Sequence, residues 1–191
     1  MAADTTSNNR IIDGTRIAAD IRAEIKEIVN ARAQAGQTIP GLAVILVGSR
    51  RDSQTYVNMK KKACAAAGIQ SKGYDFDESV TEQELLQVVY DLNNDDSVHG
   101  ILIQLPLPSN LIQDKILRAV DPAKDVDGLH PINVAALQLY YGNYSEAPFS
   151  IPCTPLGCLE LLDRNNVELR SKNCVVLGRS HLVGLPMLRL L

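Results

Sequence analysis

Apolar residues recur at three- and four-residue steps through Ile17, Ile21, Ile25, Ile28 and Val29, which predicts a helix with one apolar face closing near Gly36. Ahead of it, Ile11-Ile12-Asp13-Gly14 reads as a short strand and turn. From Gly41 to Gly48 the chain is apolar throughout between two glycines. Such a run suits a strand covered on both faces, as in a parallel sheet. A second helix is expected from about Ser53 to Ala67, with Asp52 or Ser53 as N-cap and Gly68 as its stop. Residues 72–76 read as a strand. Thr81 to Leu92 carry a helical pattern opened by a capping box, Thr81 with Glu84. Gly100-Ile-Leu-Ile-Gln104 repeats the buried-strand signature, and a short helix from about 110 to 120 precedes Asp121-Pro122.

This alternation predicts an α/β fold with a mostly parallel sheet. In such sheets ligands sit beyond the carboxyl ends of the strands, so the residues after Val47 and after Ile103 draw attention. Asn173-Cys-Val-Val-Leu-Gly178 reads as one further buried strand, followed by a helix start near Gly184. One strand and half a helix cannot close a sheet. The expectation is therefore a first domain over 1–153, with a disordered tail at 1–10, and the beginning of a second α/β domain over 154–191, in a chain that is a fragment of a longer product.

Composition narrows the classes. At 46% apolar and 21% charged, the 191 residues are not a disordered chain. The net charge of −3, with signs mixed, argues against a nucleic-acid partner. No apolar run approaches the roughly 18 residues that span a bilayer, so no membrane partner is expected. The polar first ten residues do not read as a secretory signal, and a cytoplasmic location is expected. Cys64, Cys153, Cys158 and Cys174 lack paired metal-type spacing; they read as reduced thiols, and no metal is expected.

Five segments carry candidate chemistry. Tyr56 and Lys60 stand one helical turn apart, on a helix that starts where a strand ends. The ring could stack on a flat heterocycle, and an amine in a partly dry cleft could move protons near neutral pH. The plainer reading is a solvated Lys60-Lys61-Lys62 run beside a half-buried Tyr. Gln104 ends an apolar strand before two prolines, where its amide oxygen could hold an amine or bond loop backbone. In Lys124-Asp125-Val-Asp127-Gly128, the carboxylates could bind a cation, form an Asx turn, or accept from an amidine-like edge such as a pterin's. In Pro152-Cys-Thr-Pro155, Thr154 as N-cap before Pro155 in the first turn is helix-start chemistry; Thr154 could touch a ligand, and Cys153 reads as a packing cysteine rather than a nucleophile. Gly178-Arg179-Ser180-x-x-x-Gly184 is similar to a dinucleotide turn without the full glycine pattern.

Together these motifs, Tyr56-x-x-x-Lys60, Gly100-x-x-x-Gln104-Leu-Pro-Leu-Pro, Lys124-Asp-Val-Asp-Gly128, Pro152-Cys-Thr-Pro155-x-Gly157 and Gly178-Arg-Ser-x-x-Val-Gly184, resemble those of the bifunctional methylenetetrahydrofolate dehydrogenase/cyclohydrolase family, in order and from Ile11 to Leu191. The resemblance implies a three-layer αβα folate-binding catalytic domain followed by the start of a Rossmann NADP-binding domain. It implies NADP-dependent oxidation of 5,10-methylenetetrahydrofolate to the methenyl cation and its hydrolysis to 10-formyltetrahydrofolate. By the same resemblance Lys60 is the general acid/base, Gln104 tunes it, Tyr56 stacks on the folate and Asp127 takes the pterin edge. Ser53 and Thr154 would join the pocket, Leu105 and Pro106 its wall, and Gly178, Arg179 and Ser180 would face NADP. A folate small-molecule substrate and a homodimer in the full-length form are implied as well. The alternative is a truncated, catalytically inactive folate-binding fragment.

Overall fold

The computed structural model describes residues 11–191; the expected disordered tail at 1–10 lies outside the described residues. The elements run α1 (Gly14–Gln34), β1 (Gly41–Val47), α2 (Arg51–Ala67), β2 (Gln70–Phe76), α3 (Glu82–Asn93), β3 (Gly100–Ile103), α4 (Gln113–Ala119), α5 (Pro131–Leu139), α6 (Cys153–Asp163) and α7 (Gly184–Leu190). A single 3-10 turn spans Tyr144–Glu146.

The sheet has the order β2-β1-β3, and both pairings are parallel. Central β1 sends alternate side chains to opposite faces. Ala43, Ile45 and Val47 join Leu85, Val89 and Leu92 of α3 and Ile116 of α4 on one side. Val44 and Leu46 meet Val57 of α2 and Leu102 of β3 on the other. With α1 along α2, this gives three layers, helices on both faces of a parallel sheet. Its two-sided burial explains why β1 is apolar without alternation.

Local chemistry sets most boundaries. Thr81 accepts from Glu84 N–H at 3.2 Å while Glu84 accepts from Thr81 N–H at 2.9 Å, closing the expected capping box on α3. Gly68 ends α2 in the left-handed region at φ 77°, where a side chain would be strained.

Four expectations are corrected. Ile11 to Asp13 form no strand, because no strand among the described residues offers them a ladder; Asp13 instead N-caps α1 by accepting from Arg16 N–H at 3.0 Å. The N-cap of α2 is Arg50, not Asp52 or Ser53. Asp52 lies inside the first turn, where two Arg50 N–H groups and then Ser53 N–H hold its carboxyl down at about 2. The N-cap of α6 is Pro152, so Thr154 sits inside the helix. Finally, 173–178 is not a buried strand. Val175 is 84% and Leu177 96% exposed, since no described strand lies beside them to accept their backbone bonds. Helix α7 nonetheless starts at Gly184, as expected.

Candidate active site

The end of β3 places the first group. Gln104 N–H donates to Ile45 O at 2.9 Å, extending the ladder one residue beyond the strand and orienting the side chain at the carboxyl edge of the sheet. Its Oε1 accepts from Lys60 Nζ at 3.1 Å, and its Nε2 donates to Leu105 O at 2.8 Å. An ammonium can only donate and a carbonyl only accept, so these two partners allow one orientation of the amide. The Leu105–Pro106 peptide that follows is cis.

Helix α2 supplies the second wall. Its buried Val57 anchors it to Val44, Leu46 and Leu102 of the sheet, which leaves Tyr56 and Lys60 one turn apart on the side that borders the cleft. Tyr56 is 61% exposed, a ring with a free face at the mouth.

The 120–130 loop brings in the acid. Ile101 N–H donates to Lys124 O at 2.7 Å, so the loop runs beside β3 as a fragment of a fourth strand. Lys124 Nζ is drawn back to the carbonyls of Leu92 and Asp95 at 3.0 and 2.9 Å, satisfying the end of α3. Buried Asp125 accepts from His130 N–H and Asn133 Nδ2, each on Oδ2, at 2.8 and 2.9 Å. The two carboxylates of this motif thus divide: Asp125 ties the loop to α5, and Asp127 lines the cleft. Gly128 makes that turn possible. Its φ is 66°, and a Cβ there would lie 2.7 Å from Ser150 O and 3.0 Å from Pro152 Cδ. The close approach sets the start of α6 directly against Asp127.

The result is a cavity of about 420 Å³ lined by Tyr56, Lys60, Gln104, Leu105, Asp127 and Thr154, with Cys153, Leu182 and Val183 among the remaining walls. An adjoining apolar recess of about 650 Å³ shares Tyr56, Lys60, Asp127, Cys153 and Thr154. Desolvation pushes the Asp127 carboxyl above its usual range; Lys60 opposes that shift and Asp125 adds to it. Desolvation, then the charge of Asp127, raise the Cys153 thiol, whose Sγ lies 3.7 Å from Val126 O. Cys153 therefore faces the cleft rather than a packed interior, yet as a thiol held protonated.

Other expected site residues stand elsewhere. Ser53, in the first turn of α2, is buried and stands outside the cavity walls. Pro106 borders a separate hollow with Val47, Arg50 and Glu78. Gly178 and Arg179 precede α7 outside the cavity, and Ser180 Oγ accepts from the N–H groups of Val183 and Gly184 at 3.2 and 3.3 Å. Those bonds hold Leu182 and Val183 as an apolar flank of the cleft. Sequence reasoning missed that flank because a Gly-Arg-Ser turn signals phosphate, not packing. Among the described residues no group of His, Cys, Asp and Glu is arranged to hold a metal ion.

Comparison with known proteins agrees with this architecture. The model of the tetrahydrofolate dehydrogenase/cyclohydrolase catalytic domain matches residues 12–127, and that of the family's NAD(P)-binding domain matches residues 152–191. The chain is 48% identical over 191 residues to bifunctional protein FolD 2 of Arabidopsis thaliana, covering all of this chain and 62% of the relative. It is 47% identical over 182 residues to bifunctional protein FolD of Staphylococcus aureus strain Newman, covering 95% of this chain and 61% of the relative. The crystal structure of the FolD dehydrogenase/cyclohydrolase from Campylobacter jejuni superposes with a TM-score of 0.87 at 46% identity, over 94% of this chain and 61% of that one. The Trypanosoma brucei FolD, solved with NADP cofactor and inhibitor, also gives 0.87, at 38% identity over 94% and 60%. The chain thus spans about three fifths of the length of the relatives it matches.

Proposed function

We propose that this chain, which belongs to the tetrahydrofolate dehydrogenase/cyclohydrolase family, binds a reduced folate in the cleft between α2 and the start of α6. The observation that carries the reading is the convergence of Tyr56, Lys60, Gln104 and Asp127, from three separate segments, on one cavity. A pterin has a flat face and a donor-rich edge. Tyr56 supplies a ring for the face, and Asp127 a carboxylate for the edge. Leu105, Thr154 and Leu182 would enclose the rest. Ser53 and Pro106 would act from behind these walls.

The reaction proposed is oxidation of 5,10-methylenetetrahydrofolate to the 5,10-methenyl cation, then hydrolysis of that cation to 10-formyltetrahydrofolate. The turn at Gly178, Arg179 and Ser180 suits an NADP phosphate group: Arg179 is an exposed cation, and Gly184 approaches Gly178 so closely that a Cβ would lie 2.5 Å from the Gly178 carbonyl oxygen. NADP, when bound, supplies the hydride acceptor for the first step. The protein's part in that step is to hold the methylene carbon at the open mouth of the cleft. In the second step a water adds to the methenyl carbon. Lys60 serves as the base that takes the water's proton and returns it to the departing ring nitrogen; one proton is released overall. Gln104 keeps the amine aimed inward while this happens.

Residues 1–153 would constitute the folate domain and 154–191 the opening of the NADP domain. A cytoplasmic setting is proposed with it, and the product class suits purine biosynthesis. A homodimer is proposed for the longer form.

A second reading has its own support. The 173–178 segment is largely exposed and pairs with no strand among the described residues. On that reading the chain binds folate without turnover. Mixing the chain with NADP and 5,10-methylenetetrahydrofolate separates the two. Growth of NADPH absorbance supports the enzyme. Calorimetric binding of folate with no NADPH formed supports the fragment. Absence of any folate binding removes both.

A further inference from the structure

The two walls of the cleft rest on different supports. Helix α2, with Tyr56 and Lys60, packs along α1. Helix α6, with Cys153 and Thr154 at its start, packs through Leu159 on a separate apolar cluster of Leu137, Ile151 and Leu190. That cluster shares no residue with the two clusters on the sheet. At the far end of α6, Arg164 reaches back to the first support. Its Nη1 and Nη2 donate to Oε1 and Oε2 of Glu24 on α1 at 2.7 and 2.6 Å, and its Nε donates to Glu160 of α6 at 2.5 Å.

An isolated exposed ion pair adds little to stability. This one differs in geometry. Two parallel bonds fix the direction of the guanidinium as well as its distance, and the third bond fixes it to its own helix. The Arg164 side chain is 29% exposed, against 54% for Glu24, so the fork is partly sheltered. Among the described residues it is the one ion pair that joins α1 to α6. Because α1 also carries α2, the fork relates both walls to a single helix.

We propose that Arg164 is a positioning residue for the cleft: by joining Glu24 of α1 to Glu160 of α6, it sets the Cys153–Thr154 wall relative to the Tyr56–Lys60 wall. The positioning role does not depend on which ligand occupies the cleft; only the binding arm of the test rests on the folate reading.

The test uses the whole chain with nitroxide labels at Met59→Cys and Gly157→Cys, the native cysteines being replaced by serine. Met59 is exposed on α2, and a Cβ at Gly157 meets nothing within 4 Å. Pulsed electron resonance reads the distance between the labels. Arg164→Met and, separately, Glu24→Gln are expected to lengthen and broaden it, whereas Glu160→Gln, which leaves the fork to α1 intact, changes it least. High salt should broaden the parent but not Arg164→Met. In the chain with its native cysteines, affinity for 5-formyltetrahydrofolate by calorimetry should fall several-fold in the same two variants. Unchanged distances in Arg164→Met and Glu24→Gln overturn the proposal, whether or not folate binds. Distances that respond in a protein whose parent does not bind 5-formyltetrahydrofolate sustain the positioning role and overturn the folate reading instead.

Discussion

The Lys60 ammonium donates to Gln104 Oε1 at 3.1 Å, across 44 positions of sequence, while the other end of the same amide is held by the Leu105 carbonyl at 2.8 Å. The amide cannot turn over without losing both bonds. The amine is thereby aimed into a cavity that also contains Tyr56 and Asp127. A Lys60 turned to bulk solvent, as the plainer reading of a three-lysine run has it, would have broken the argument at its base.

Lys60→Met should remove the proposed hydrolytic step in a longer form that carries the family's whole NAD(P)-binding domain. The scale of loss is that of a general acid–base group, about 10²- to 10⁴-fold. The fold should persist, since the side chain is only half-buried and its one bond is to a neutral amide. Methenyl hydrolysis followed by absorbance, beside a thermal melt, checks both halves. Parental hydrolysis rates in this variant would refute the assignment.

Gln104→Met should act on chemistry more than on stability. The backbone bond from residue 104 to Ile45 O does not depend on the side chain, so the strand end stays in place. What is lost is the acceptor for Lys60 and the donor to the Leu105 carbonyl. Hydrolysis is expected to drop while stability falls by no more than about 1–3 kcal/mol, the worth of two hydrogen bonds. A variant that instead fails to fold would show that the amide is structural.

Asp127→Asn should weaken binding of a reduced folate by a few kcal/mol, the scale of a lost charged hydrogen-bond pair, read by calorimetry. It should also change how stability depends on pH. Desolvation raises the Asp127 carboxyl in the fold above its unfolded value of 3.8. The folded state then holds its proton more tightly than the unfolded state. Stability from this group is fully present below that value and declines as pH rises through the window just above it. Urea titrations at acidic and neutral pH should show the parent losing part of its stability over that window and Asp127→Asn losing less. Parallel curves would place the residue in water.

Gly128→Val should uncouple the loop from α6. A left-handed φ of 66° strains a β-branched residue, and its Cβ would collide with Ser150 O at 2.7 Å. A loss of about 1–3 kcal/mol is expected in denaturant unfolding, with folate affinity reduced because Asp127 and Thr154 no longer share a wall. Full affinity in a folded Gly128→Val protein would argue that this turn does not shape the cleft.

Much of the fold was legible because its signals are local. The Thr81–Glu84 box, the Gly68 stop and the glycine-bounded run at Gly41 each act within a few residues. Helix α5 escaped notice, although Pro131 at its first position and His130 as its cap were available signals. Its Asn133, which holds Asp125, carries no pattern that announces a buried bond. The candidate site residues stand on separate segments, and their motif spacing ranked them. Neither spacing nor motif indicated that Cys153 faces the cleft, that Ser53 is buried within α2 outside the cavity, or that Leu182 and Val183 form a flank.

From the residues alone came the parallel α/β plan, the helix stops and the short list of groups able to stack, accept and move protons, because periodicity and capping are short-range effects written into neighbouring side chains. Tertiary structure decided which of those groups share a cavity, since Gln104, Asp127 and Thr154 meet α2 only through the parallel crossover and the left-handed turn at Gly128. It also decided against a strand at 173–178, for a strand is a property of a pair: apolar residues with no adjacent ladder have nowhere to place their backbone bonds.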